Sequence, residues 1–237
     1  MIYVYAVIDE PELTVDGLRG LSDAPLVRLS QGPVAAVCTM HDELNLETDA
    51  ETLWRHEQVT ASLMARCTVA PAQFGTVLSD LDALGAVLDV QGERLTSVLA
   101  ALQGKVELAV RGRKPATGDG DWRTAHDEQT YRQRSHPASG RAYLRSLQGA
   151  MAVRAEGTLS ESLAEVHATL AERAAASTIQ ANADGSMVAA YLVDRGSVAS
   201  FRDGVIGERQ RHHDIRLSLT GPWAPFSFVE RGAMTCA

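Results

Sequence analysis

The chain is poor in aromatic residues, which make up 5% of it, and it holds only three cysteines, Cys38, Cys67 and Cys236. An odd number of widely spaced cysteines excludes a disulfide framework and fits a reducing compartment. The lack of any Cys-x-x-Cys pair removes the usual structural zinc site. No apolar run approaches the ~20 residues that cross a bilayer. The first residues, Met1-Ile2-Tyr3-Val4-Tyr5-Ala6-Val7-Ile8, have no basic leader and run into Asp9-Glu10-Pro11. They predict a strand rather than a signal peptide, and a protein of the cytoplasm without a membrane span.

Positive charge is also in deficit, with 22 Lys and Arg against 30 Asp and Glu, a net charge of −8. That average field repels nucleic acid. The one basic stretch, Lys105 to Lys114, reads as a solvated strand edge and loop. Catalytic patterns are missing too. There is no Gly-x-Ser-x-Gly elbow and no Walker A loop; Gly118-Asp119-Gly120-Asp121 lacks the Lys-Ser/Thr that follows in a phosphate cradle. His56-Glu57 has no second His four residues on. His212-His213-Asp214 is the nearest thing to a metal cluster, but adjacent strand residues point to opposite faces, so a solvated segment before a strand is the better reading. His126 and His136 fall in a polar stretch and read as exposed, Arg141 and Tyr143 as structural, and Cys67 as a small buried residue. No catalytic residue, cofactor or metal is expected, and the chain does not read as an enzyme.

What is present is enough apolar sequence for a core: 237 residues that are 45% hydrophobic. A chain of this size hides roughly 70% of its unfolded surface on folding. Residues 2–8 predict a buried strand; residues 26–29 and 34–38 predict a hairpin turning at Ser30-Gln31-Gly32-Pro33. A helix follows over about 50–65, its stripe of Leu53, Trp54, Val59, Leu63 and Met64 imperfect. A loop over 68–76 leads to a second helix capped by Ser79, with a bend or break at Gly92. Residues 106–110 predict a strand. Residues 113–138 are polar and read as a loop with one short helix. Helix signals return from Gly140, with Tyr143, Leu144, Leu147 and Met151 on one face, and a Thr158/Glu161 capping box opens a further stretch with Leu159, Leu163, Val166 and Leu170. Strands over 178–181, 187–193 and 215–219 enclose a helix carrying Val198, Phe201 and Val205.

The fold class is α+β in two domains. Residues 1–103 form a mixed α+β domain. Residues 104–237 read strand, helix, strand, strand, helix, strand, the ferredoxin-like βαββαβ order, with the polar insertion at 113–138 and an extended tail at 220–237. That tail, Leu219-Thr220-Gly221-Pro222-Trp223-Ala224-Pro225-Phe226-Ser227-Phe228-Val229, concentrates aromatics and prolines. It reads either as an extended segment packed over a core opening or as an aromatic anchor for a partner, with Trp223, Pro225, Phe226 and Phe228 the candidate contact residues.

Several stretches, in order, resemble the gas vesicle protein F/L family (GvpF/GvpL). They are Met1–Ile8, Pro71-Ala72-Gln73-Phe74-Gly75-Thr76-Val77, Gly104-Lys105-Val106-Glu107, Gly140-Arg141-Ala142-Tyr143-Leu144, Ala189-Ala190-Tyr191-Leu192-Val193-Asp194-Arg195 with Phe201, and Leu219 to Phe228. The resemblance implies a non-catalytic accessory or minor structural protein of gas vesicles. Its expected partners are the small apolar shell protein, kept from aggregating and helped to nucleate, and other gas vesicle accessory proteins. Two alternatives stand beside it: an enzyme or a small-molecule sensor using the cleft between two domains.

Overall fold

The computed structural model of the chain describes residues 1–44, 46, 50–115 and 157–229. They fall into two compact units, Met1–Val106 with Trp223–Ala237, and Glu107–Pro222. The tail from Trp223, expected with the second half, therefore groups with the first.

The first unit is built on β1 (Ile2–Ile8), whose seven residues are all buried. Its β-branched and aromatic content suits a central strand covered on both faces. β2 (Leu26–Gln31) and β3 (Val34–Met40) form the expected hairpin, and the sheet order is β2-β3-β1-β4, with β5 also on β1. α1 (Ala50–Met64) and α2 (Leu81–Leu102) complete the unit. The α2 cap is Asp80, not Ser79: its carboxylate accepts the Ala83 N–H at 2.8 Å. Nor does Gly92 break the helix, because the apolar stripe Leu84, Val87, Leu88, Leu95, Leu99 and Leu102 stays buried past it.

Two irregularities of register shape this unit. Val4 faces Cys38 while Ala6 faces Val37, so Tyr5 is an extra residue, a β-bulge in β1. The bulge shifts the alternation by one. Tyr3 and Tyr5 before it and Ala6 and Ile8 after it join one core cluster with Val59 and Leu63 of α1. On the other side of β1, the segment read as a loop over 68–76 holds β4 (Val69–Pro71) and ends at β5 (Val77–Leu78). Pro71 faces Ala6 and Val77 faces Tyr3. Six residue steps along this edge face three along β1, so three residues are in excess and the chain loops out around Phe74.

In the second unit the order is β6 (Lys105–Arg113), α3 (Glu161–Ala171), β7 (Ala176–Ala181), β8 (Met187–Asp194), α4 (Val198–Arg211) and β9 (Arg216–Trp223). The sheet order is β7-β8-β6-β9. Leu163, Val166 and Leu170 of α3 and Phe201 and Val205 of α4 share one cluster with Leu108, Val110, Met187, Ala189, Tyr191 and Val193, so both helices cover one face. The basic stretch Lys105 to Lys114, read as a strand edge, instead supplies an inner strand between β8 and β9. α3 begins at Glu161 after Ser160, so Thr158 does not cap it. Most of the polar stretch 113–138, and the helix expected from Gly140 with Tyr143, Leu144, Leu147 and Met151, lie outside the described residues.

Close packing fixes one glycine here. A Cβ on Gly112 of β6 would stand 2.4 Å from Leu163 Cδ2, with Leu217 and Met187 next nearest. Leu163 is fully buried and has little room to withdraw. Gly112→Ala is expected to lower stability by about 1–3 kcal/mol, read as a fall in the urea midpoint at unchanged m-value.

Candidate functional site

A buried polar arrangement joins α1 to β1. α1 presents Leu53, His56, Thr60 and Leu63 at spacings of three, four and three, and all four are buried. His56 therefore stands where an apolar residue would complete the stripe, which is why the stripe looked imperfect in the sequence.

Both ring nitrogens of His56 are engaged: Nδ1 lies 2.8 Å from the Tyr3 hydroxyl and Nε2 lies 3.1 Å from the Ala72 carbonyl oxygen. A carbonyl can only accept, so Nε2 carries the proton and Nδ1 is the acceptor, receiving the Tyr3 O–H. The Tyr3 oxygen in turn receives the Gly75 N–H at 3.4 Å. One imidazole and one phenol thus hold both ends of the looped-out segment. Burial keeps the ring neutral, lowering His56 to about 4, and pushes the Tyr3 hydroxyl far above its ordinary range.

Aromatic packing encloses this pair. Tyr5 stacks on His56 with ring centroids 5.5 Å apart, and Tyr3 meets Tyr5 edge-on at 4.9 Å. Phe74, at the tip of the looped-out segment, stands 5.9 Å from His56 and 6.1 Å from Tyr3. A second branch runs from the Tyr5 hydroxyl, which accepts the Leu21 N–H at 2.7 Å and lies 3.2 Å from Thr39 Oγ1; that oxygen lies 2.8 Å from His41 Nε2. Gly20 is required beside it, since a Cβ there would meet the Tyr5 oxygen at 2.1 Å.

The four tail residues singled out from the sequence divide. Trp223 and Pro225 are buried, while Phe226 and Phe228 are partly exposed. Phe226 reaches the cluster, its ring centroid 5.7 Å from that of His56. The prolines end β9 and turn the chain into a short 3-10 helix, Phe226–Phe228.

Elsewhere the sequence candidates are scattered. His213 and Asp214 are exposed, but His212 is not a solvated residue: its Nε2 lies 3.4 Å from Glu208 and 3.8 Å from Glu165. Among the described residues no group of three or more His, Cys, Asp or Glu is placed to hold a metal ion. Cys38 is buried, its thiol pushed up to about 12. Cys67 is only partly buried and donates to the Leu63 carbonyl at 3.4 Å. His126, His136, Arg141, Tyr143, Cys236 and the 118–121 loop lie outside the described residues. Sequence reasoning missed His56 and Glu57 as buried groups. The signal was the 53, 56, 60, 63 spacing, in which His56 falls and beside which Glu57 stands, four residues after Leu53 and three before Thr60, rather than any catalytic pattern.

Glu57 is 4% exposed, and burial raises its carboxyl to about 7. A raised folded-state value means that the native state holds its proton more tightly than the unfolded chain. The contribution is complete below 4.5 and is lost as the pH rises through about 7. His56 runs the opposite way: its contribution is complete above 6.5 and is lost as the pH falls towards about 4. Glu57→Gln keeps the shape without the proton. Its stability relative to the wild type is therefore expected to improve as the pH is raised from about 5 to about 8, read from urea midpoints. A pH-independent difference would show that the acid is not held protonated. Tyr3→Phe leaves Nδ1 of His56 without its donor and is expected to cost about 1–3 kcal/mol, measured the same way.

Comparison with known proteins gives this arrangement its context. The family described as "Gas vesicle synthesis protein GvpL/GvpF" matches residues 1–230. Gas vesicle protein F of Streptomyces sp. (strain CB03234) is 30% identical over 251 aligned positions, covering 96% of this chain and 99% of the relative. Gas vesicle protein L of the same strain is 29% identical, covering 96% and 92%. The crystal structure of GvpF from Microcystis aeruginosa has the same fold, with a TM-score of 0.69 at 18% identity over 97% of this chain and 98% of that one. GvpF from Anabaena sp. PCC7120 gives 0.71 at 16%, over 97% and 95%. The match from the first residue through the aromatic tail establishes that the chain belongs to the GvpL/GvpF family of gas vesicle proteins.

Proposed function

We propose that this protein is a non-catalytic accessory component of gas vesicles that binds the small apolar shell protein before assembly. It keeps that protein from aggregating and presents it, with other accessory proteins, to a growing vesicle nucleus in the cytoplasm. The observation that carries the reading is the family match across residues 1–230. The physical need is plain: a subunit that will form an apolar wall must hide that face until it meets its neighbours.

Of the candidate contact residues Trp223, Pro225, Phe226 and Phe228, the partly exposed Phe226 and Phe228 are the ones that offer apolar surface to such a partner. We also read the chain as a two-domain protein with a ferredoxin-like second domain. The strand, helix, strand, strand, helix, strand order and the β7-β8-β6-β9 sheet support this.

Co-expression with the shell protein tests the proposal. The shell protein is expected to shift from the pellet to the soluble fraction and to co-purify with this chain. The double variant Phe226→Ala/Phe228→Ala is expected to lose most of that capture while still folding by circular dichroism. A shell protein equally insoluble with and without this chain, together with normal vesicles after deletion of the gene, overturns the reading.

A further inference from the structure

β7 lies at one edge of the second sheet, and among the described residues no strand pairs with its outer side. The phase of its ladder follows from the turn into β8. Asn182 N–H donates to the Ser186 carbonyl at 2.9 Å, and Gly185 N–H to the Asn182 carbonyl at 2.9 Å, with Gly185 at φ 73°. Residues 182 and 186 are thus a hydrogen-bonded pair. The register from Ala181↔Met187 to Ala176↔Leu192 contains no bulge. Antiparallel alternation then points the backbone groups of Ala176, Thr178 and Gln180 at β8, and those of Ser177, Ile179 and Ala181 outward.

The outward set is closed off on each side. The Ala181 carbonyl already accepts the Gly157 N–H at 3.3 Å. At the other end the Ala175 N–H is turned inward, donating to the Leu192 carbonyl at 2.8 Å. Between them stand the N–H and C=O of Ser177 and of Ile179, with no backbone partner among the described residues. Ala176, Thr178 and Ile179 are exposed, Ile179 by 39%, and residues 174–181 carry no charge and no proline. A strand with none of the usual guards is a template for pairing.

We propose that the occupant of this edge is a second copy of the chain, β7 pairing with β7 of the second copy about a two-fold axis at Thr178. In that register Ser177 faces Ile179 of the second copy, and Ile179 faces its Ser177. Each of these two residue pairs exchanges two N–H···O=C bonds, four in all. A shift by two residues either way calls on the Ala181 carbonyl or the Ala175 amide, both already committed, so this register is the one that pairs Ser177 and Ile179 through both N–H and C=O. Thr178 meets Thr178 on the axis, Ala176 meets Gln180, and Ser177 meets Ile179; no like charges face one another. Two chains of net charge −8 repel over most of their surfaces, so an uncharged edge is where a second copy can approach. The inference concerns self-association and holds whether or not the chain binds the shell protein.

Sedimentation velocity of the full chain over a wide concentration series is expected to show a monomer–dimer equilibrium. Thr178→Lys sets two ammonium groups against each other on the axis and is expected to shift the midpoint to higher concentration. A cysteine pair reads the register directly. On the axis, Cα atoms of a non-hydrogen-bonded pair lie about 4.5 Å apart, within disulfide reach. Thr178→Cys is therefore expected to give a disulfide-linked dimer on mild oxidation. Ser177→Cys, one residue away, meets Ile179 instead and is expected to give no more than the parent protein. A monomer at every concentration overturns the proposal, as does equal cross-linking of the two cysteine variants, a dimer indifferent to Thr178→Lys, or pairing of this edge only with a strand of some other protein.

Discussion

A neutral imidazole with both nitrogens occupied ties three stretches of the first unit together, and the rest of that unit is arranged around it. His56 on α1 gives its Nε2 proton to Ala72, beyond β4, and takes the Tyr3 proton from β1; Tyr3 then receives Gly75. Tyr3, His56 and Ala72 are buried, where an unmade hydrogen bond is expensive, so the three hold together. The segment it holds has three residues too many for a continuous strand. Without the two clamped ends, nothing in the ladder would place Phe74 over the ring.

The bulge at Tyr5 serves the same cluster. A regular strand would send Tyr3 and Tyr5 to one face and Ala6 and Ile8 to the other. The extra residue brings all four into the same core and aims the Tyr5 hydroxyl at the Leu21 amide. That amide is close by because Gly20 has no Cβ, and Ser22 and Asp23 follow in left-handed conformations, at φ 53° and 57°. The turn, the bulge and the aromatic stack are one solution to one packing problem. This explains why so polar a cluster can sit under a strand that is buried throughout.

The regular elements were legible because their periodicity comes from burial alone. β1, the β2–β3 hairpin, α1, α2, β8 and α4 all fall where alternation or a helical stripe puts them. What escaped the reading depends on contacts distant in sequence. The stretch 71–77 looks like a loop because proline and glycine interrupt it; only β1 makes its two ends strands. The α2 cap belongs to Asp80 rather than Ser79 because geometry, not residue type, chooses between neighbouring good caps. His56 looks like a surface residue of an amphipathic helix until the 53, 56, 60, 63 spacing is weighed against partners that lie elsewhere in the chain, and Glu57 is buried beside it. The tail showed its aromatics plainly, but not that its Phe226 ring would face His56.

The sheet edges differ in a way the sequence also records. β2 carries Arg28, whose guanidinium donates to the Leu13 carbonyl at 2.9 Å, and Ser30, which donates to the Pro11 carbonyl at 2.7 Å, so the chain over residues 11–13 lies against it. The β4–β5 edge is broken by its excess residues and by Pro71. β9 carries Arg216 at its start and Pro222 one residue before its end. Proline, charge and irregularity are the standard means of keeping an edge from pairing. β7 alone among these strands has none of them, and it keeps a bulge-free register with β8 along its whole length. Three guarded edges and one bare one, in a chain that carries eight negative charges in excess, point to pairing that is confined to a single place.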